Sequence, residues 1–439
     1  MIGSYQELLI ICLTALLILL VLILIYKNHI LSIFDPLFIY LITQAFSIEL
    51  AFLQISRLAD LLNFLMCQIA FTIAFLVMAG TPLRKKSALN TNLLQASPST
   101  NSNIKLFAVF TFITIIIANA YLIAVKGAPL LAEDPSAAKT EIFIQGQGFG
   151  IVRRMNWGLI YITALFLIYL YLYKNSLKYI VFCMFLVFVL ILSGSKSVLI
   201  YFFTLIPLLS NFDDVKKAKA FKLLNYSKYF MLAGAIALSI AIILLGTQGT
   251  LEEAVFNLGT RFLFFGDVML YYYNHYAVKH FSSLGFFDYL YEDFNSVLAF
   301  FRLGEYKKAL GIELVDYHFQ ISGGLLFGPN VPYYAKGHIY FGAAGVVVYS
   351  IIVGGIVGYV RSLYYKIFRT NKSVVAKLLI IHLNLIIFGY PQDSNTFLSF
   401  LFDTIILSLP FYLLVFLFFQ KVNYQDTQFF KIPGSVKSK

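Results

Sequence analysis

The sequence predicts an all-α polytopic integral membrane protein, and three observations predict it. Of 439 residues, 60% are hydrophobic and 12% charged, too little polar surface to cover a soluble core of this size. Apolar runs of about 20 residues recur along the chain, the length at which a helix crosses the hydrocarbon of a bilayer. Helices satisfy their own backbone hydrogen bonds, so runs of this kind can stand in lipid. The whole chain, 1–439, reads as a single integral membrane domain.

About eleven segments read as spans: 5–26, 34–55, 58–79, 104–125, 155–173, 178–193, 197–210, 229–246, 338–360, 375–390 and 396–419. The first lacks a basic leader and a small-residue cleavage site, which marks a retained span rather than a signal peptide. The seventh is short and holds Pro207. Arg84-Lys85-Lys86, Lys174 with Lys178, Lys216 to Lys228, and Arg361 to Lys377 fall on one side of this arrangement, the side basic loops mark as cytoplasmic. The net charge of +12 is mostly this orienting bias, which argues against a nucleic-acid partner. Gly337, Gly342, Gly345, Gly354 and Gly358 give the ninth span a face of small residues for close helix packing. Cys12, Cys67 and Cys183 fall inside apolar runs, far apart, with neither metal-ligand nor disulfide spacing.

Two segments assigned to the outer side differ in kind. In 126–154, Asp134-Pro135 suits the start of a short helix, and QGQGFG would return the chain to the membrane before Arg153-Arg154. The other, 247–337, is the longest connection and is rich in aromatics, a composition that argues against disorder. Its stretch RFLFFGDVMLYYYNHY carries Arg261, Asp267 and His275, and in a helix Asp267, Tyr271 and Asn274 would share a face. The following run holds Asp288, Glu292 and Asp293 and makes a poor return span, so a helix at the outer interface fits better.

Candidate functional residues gather in these segments. Arg153 and Arg154 read either as snorkelling anchors or as cations for an anionic ligand. Lys196, in the turn SGSKS, opens a helix where a cation opposes the dipole; it is a solvated turn lysine or part of an anion site. Arg261 and Arg302 bracket the aromatic part of the long segment, and for Arg302 an ordinary surface charge is the plainer reading. Asp267 is either neutralised by Arg261 or acts in a site, and His318 is a hydrogen-bonded surface group or a proton acceptor. Asn330, Tyr334 and His338 follow among turn glycines and complete the candidate substrate-binding set. No Walker loop, H-E-x-x-H, G-x-S-x-G or D-x-D in the outer segments is present, so neither metal nor cofactor is expected.

Four pieces of sequence resemble the Wzy-type polymerases of bacterial surface polysaccharides. They are GAPLL with the loop closing on GQGFGIVRR, LILSGSKSVLI, RFLFFGD, and GPN followed by GHIYFGAAGVVV. Together they cover most of residues 126–358. Two departures stand out: Lys196 sits where many relatives carry Arg, and no Arg-x10-Gly spacing starts at Arg153, Arg154, Arg261 or Arg302. The resemblance implies a multi-pass protein of the bacterial cytoplasmic (inner) membrane with its active site facing outward. It implies undecaprenyl-diphosphate-linked oligosaccharide as donor and acceptor, membrane lipid around it, and a chain-length regulator as a further partner. In that chemistry Arg153, Arg154, Lys196 and Arg302 would hold diphosphate and sugar. Asp267, His318 and Arg261 would carry catalysis. A ligase using the same donor, or a flippase relying on Glu49, His382 and Asp403 within spans, are the competing readings.

Overall fold

The structure, a computed structural model, describes residues 5–80, 98–132, 150–192, 198–210, 266–273, 275–281, 284–305, 307–320, 328–368 and 373–429, with isolated positions between 215 and 229. Among these residues every element is helical. In chain order they are α1 (Tyr5–Tyr26), α2 (Pro36–Gln54), α3 (Leu58–Ala79), α4 (Pro98–Lys126), α5 (Gly150–Lys174), α6 (Leu177–Leu192) and α7 (Val198–Leu209). The short α8 (Val268–Tyr272), α9 (His275–Phe281), α10 (Phe286–Phe300) and α11 (Leu310–Phe319) follow. The chain ends with α12 (Tyr333–Ile367), α13 (Val374–Ile386) and α14 (Ser394–Phe429).

Seven of the described helices are long and apolar enough to cross a membrane, and two further apolar helices, Leu177–Leu192 and Val374–Gly389, are shorter. Side-chain exposure gives the physical reason to place them in lipid. Leu13, Leu17 and Leu20 on α1 and Ile69, Ile73 and Val77 on α3 are exposed over half or more of their surface. A row of bare leucine and isoleucine along successive turns is stable only where the solvent is itself hydrocarbon. The protein is a membrane-embedded helical protein. Apart from Tyr229, the predicted span at 229–246 lies outside the described residues, as does the predicted helix after Asp134-Pro135. Before them, Pro129–Leu131 forms one 3-10 turn.

The chain sorts into two compact units. The first comprises 1–93, 197–372 and 379–399; the second comprises 94–196, 373–378 and 400–439.

In the first unit α3 and α12 run parallel and in close contact. A Cβ at Gly354 would fall on the Phe71 backbone and one at Gly358 on the Phe75 backbone, so both positions need glycine for the helices to approach this closely. Gly337 behaves differently. Its bare Cα meets Val346 and Tyr349 of its own helix, nine and twelve residues on. In a straight helix nine residues span about 13.5 Å. The contact exists because Gly342 takes φ +68, ψ −175, a conformation open essentially to glycine, and folds the arm 333–341 back along the helix that follows.

The same unit buries a full charge. Arg361 has no exposed surface and is paired with Asp35. It also donates to the His29 carbonyl at 2.6 Å, to the Tyr365 hydroxyl at 2.9 Å and to Asn384 Oδ1 at 3.2 Å. Asp35 caps α2 through the Leu37 amide at 3.0 Å, with Pro36 at the first helical position. The sequence counts Arg361 among the basic residues that mark one side of the membrane; the structure adds that it is buried. Charge and hydrogen-bond partners on every side make this arginine tolerable in a low-dielectric interior.

In the second unit α4, α5 and α6 pack together, and α4 and α5 are joined through Asn119 and Asn156, whose amides bond reciprocally at 2.7 and 2.9 Å. Thr163 donates to Thr111 at 2.8 Å about two turns away from that pair. Gly158 lets the Asp403 backbone of α14 come close, where a Cβ would stand 2.6 Å from its carbonyl carbon.

Candidate functional site

Within the first unit several predicted residues come together around the arm 333–341. The stretch GDVMLYYY does not form one long helix. Asp267 leads into α8, which ends at Tyr273, and α9 starts afresh at His275. Gly266 is what brings Asp267 inward, for its Cα lies against Ser47 and Leu50 of α2 with no room for a side chain. Burial, the largest cause, pushes the Asp267 carboxyl up to about 7, while neighbouring backbone N–H groups work the other way. Asp267 and Tyr271 stand one turn apart, as the helical spacing predicts, and the charge of Asp267 raises the Tyr271 phenol after burial has done so. Asn274, the third residue of that predicted face, lies outside the described residues.

Tyr271 meets His318, at the end of α11, edge-on with ring centroids 5.4 Å apart. Tyr334 is buried against the edge of Phe64, ring centroids 4.9 Å apart. His338 is buried, and its Nδ1 is 2.5 Å from the Tyr272 hydroxyl. The Tyr273 ring lies 6.2 Å away, and burial, with a smaller contribution from the charge of Asp60 at the start of α3, raises the phenols of Tyr272 and Tyr273. Asn330 lines a small polar cavity of about 20 Å³ with Thr43, Gln44, Ser47 and Gln392, room for about one water. Asp267, His318, Tyr334, His338 and Asn330 are thus drawn toward one region through α2, α8 and the arm. Arg302 is exposed just past α10, between exposed Phe301 and Leu303, and in the left-handed backbone region at φ +58. Arg261 lies outside the described residues.

Between α3 and α12 runs an apolar groove of about 820 Å³ lined by Met66, Ile69, Ile73, Ile351, Gly355 and Tyr359 among others. Asn63, on the turn of α3 before Met66, donates to the Ala343 carbonyl at 2.6 Å.

A second buried cluster flanks the arm on its other side. Lys336 pairs with Asp293 and stands 4.0 Å from Glu292; Ser394 donates to the same Asp293 oxygen at 2.6 Å. Burial raises the Glu292 and Asp393 carboxyls, and Lys336 opposes the rise in both. The sequence reads Glu292 and Asp293 as marks of a poor span and leaves Lys336 unassigned. Their pairing is between positions 43 residues apart, a distance at which sequence spacing carries no signal.

In the second unit Arg154 forms an ion pair with Asp403 at 2.6 Å. Arg153 is exposed and lies over the Trp157 ring at 5.0 Å. The two adjacent arginines therefore differ: one is held by a buried carboxylate, the other stacks on an aromatic face. Lys196 lies outside the described residues. Among the described residues no group of three or more His, Cys, Asp or Glu side chains is placed to hold a metal ion.

No family model, curated protein or solved structure matches the chain.

Proposed function

We propose that this protein is a membrane glycosyltransferase of the Wzy type. In this reading it joins undecaprenyl-diphosphate-linked oligosaccharide repeat units into O-antigen or capsule on the outer face of the bacterial cytoplasmic membrane. It crosses the membrane about eleven times, with 247–337 on the outer side. One observation carries the reading beyond the sequence resemblance. The first unit holds both a buried polar region, with Asp267, Tyr271 and His338, and an apolar groove between α3 and α12. A substrate with a polyprenyl tail and a sugar head needs apolar surface for the one and polar groups for the other.

In the proposed step the acceptor sugar hydroxyl attacks the donor anomeric carbon. The hydroxyl proton passes to Asp267, whose raised pKa suits a base working near neutral pH. The bond from the anomeric carbon to the diphosphate oxygen breaks, and the diphosphate leaves with the electron pair. By the sequence resemblance alone, the cations that would stabilise that charge without a metal are Arg153, Arg154, Arg261 and Lys196. The aromatic surfaces of Tyr271 and His318 suit a sugar ring face.

The test is incubation of the purified protein in lipid nanodiscs with lipid-linked repeat units, in chelator and without nucleotide sugar. Elongated lipid-linked chains are expected. Transfer to a different acceptor alone would make it a ligase, and translocation without new bonds a transporter. Near-normal chain-length ladders from Arg153→Ala, Arg154→Ala and Arg261→Ala alike would remove the diphosphate assignment.

A further inference from the structure

His338 and Tyr272 form a short buried polar contact, and its proton can be placed by elimination. The two groups are 2.5 Å apart, from the Tyr272 hydroxyl to Nδ1 of His338. Tyr272 is fully buried, and among the described residues His338 is its one hydrogen-bond partner. If Nδ1 carried the proton, Tyr272 would accept it and its own O–H would be left buried without an acceptor, a costly arrangement. If Tyr272 donates, both groups are satisfied. Burial and the nearby charge of Asp60 both raise the Tyr272 phenol, so it keeps its proton. A neutral imidazole that accepts at one nitrogen carries its hydrogen on the other.

We infer that Tyr272 fixes His338 in the Nε2–H tautomer, so that His338 meets its ligand as a hydrogen-bond donor to an oxygen and not as a base. Tyr272 is then a positioning residue. The ligand class is one with exposed oxygen lone pairs, which on the proposed function is a saccharide hydroxyl or ring oxygen of the lipid-linked substrate. This inference rests on that reading for its ligand, but the tautomer assignment stands apart from it. It also sharpens the division of labour, because a donor at His338 leaves proton abstraction to Asp267.

Two measurements test it. In ¹⁵N-histidine-labelled protein in nanodiscs, long-range ¹H–¹⁵N spectra should show His338 as the Nε2–H form at neutral pH, assigned by its loss in His338→Gln. Tyr272→Phe should move it toward a mixture of tautomers. A wild-type Nδ1–H signal, or a Tyr272→Phe spectrum identical to wild type, overturns the inference whatever the enzyme does. The second measurement is elongation. Glutamine places an amide N–H near the position of Nε2 and asparagine places one near Nδ1. His338→Gln should therefore outperform His338→Asn by roughly tenfold in kcat/KM at equal folded protein, about one hydrogen bond's worth. Equal losses in both variants overturn the donor role. Absence of elongation by the wild-type protein would reject the polymerase reading and leave the spectra to decide the tautomer.

Discussion

At the residue scale, Asp267 makes the sharpest prediction. Its carboxyl has a pKa of about 7 in the folded protein against 3.8 for the free side chain. If Asp267 is the base of the proposed function it must be ionised, so elongation should rise as pH climbs through about 7 and level off above it. Asp267→Asn should lose most activity and flatten that rise; an unchanged pH profile would remove Asp267 from proton transfer. Stability moves in the opposite sense. A folded state that binds the proton more tightly than the unfolded chain loses stability as pH rises from about 4 through 7. Asp267→Asn should remove that part of the slope, as read by thermal unfolding across pH. Arg154 gives a second case. Its partner Asp403 is almost wholly buried, so Arg154→Ala strands a carboxylate and should cost about 2 kcal/mol, with much of the loss recovered in Arg154→Ala/Asp403→Ala. A double variant no better than the single would show that the two charges are not coupled.

At the scale of the element, the reversal at Gly342 decides which residues can meet. The sequence pattern of glycines from 337 to 358 predicts one small-residue face on one helix. Gly354 and Gly358 fulfil that prediction against α3, but Gly337 packs on its own chain because the helix folds back. Periodicity reports the face and not the bend, since a glycine reads the same at a helix contact and at a positive φ. Gly342→Ala should cost about 1–3 kcal/mol from the backbone alone, measured as a fall in thermal midpoint in detergent. An alanine variant as stable as wild type would show that the arm can be held without the glycine conformation. The helices themselves were legible for a plain reason. Long apolar runs bounded by Asp35-Pro36 or Gly80 specify their own ends. The break of the aromatic stretch at Tyr273 was not, because nothing local in DVMLYYYNHY disfavours a continuing helix.

For the whole molecule, the membrane character was legible from composition, and most of the predicted spans coincide with helices in the described residues. The partners of the buried charges were not legible. Asp35 finds Arg361 across 326 positions and Asp293 finds Lys336 across 43, and such pairings depend on tertiary packing. The candidate site shows the same split. Asp267, His318 and His338 stand out as ionisable groups in an apolar chain, whereas Asp60, Ser47 and Tyr272 gain meaning only from their neighbours. Arg361→Met would leave Asp35 buried without a counter-charge and should cost about 3–5 kcal/mol, seen as loss of folded protein after extraction. Arg361→Met/Asp35→Leu should recover a large share, because the pair is removed together. Failure of that recovery would mean that the arginine's bonds to His29 and Asn384 matter more than its charge.

The groove between α3 and α12 is flanked on both sides by side chains bare to hydrocarbon, such as Ile69, Ile73 and Ile352. A ligand tail would therefore enter sideways, from the plane of the bilayer, without passing through water. On the proposed function, the quantity that would set the rate is the number of substrate molecules per lipid. Diluting the nanodisc with inert phospholipid at constant bulk substrate should slow elongation, whereas diluting the whole suspension with buffer should leave the turnover of each enzyme unchanged.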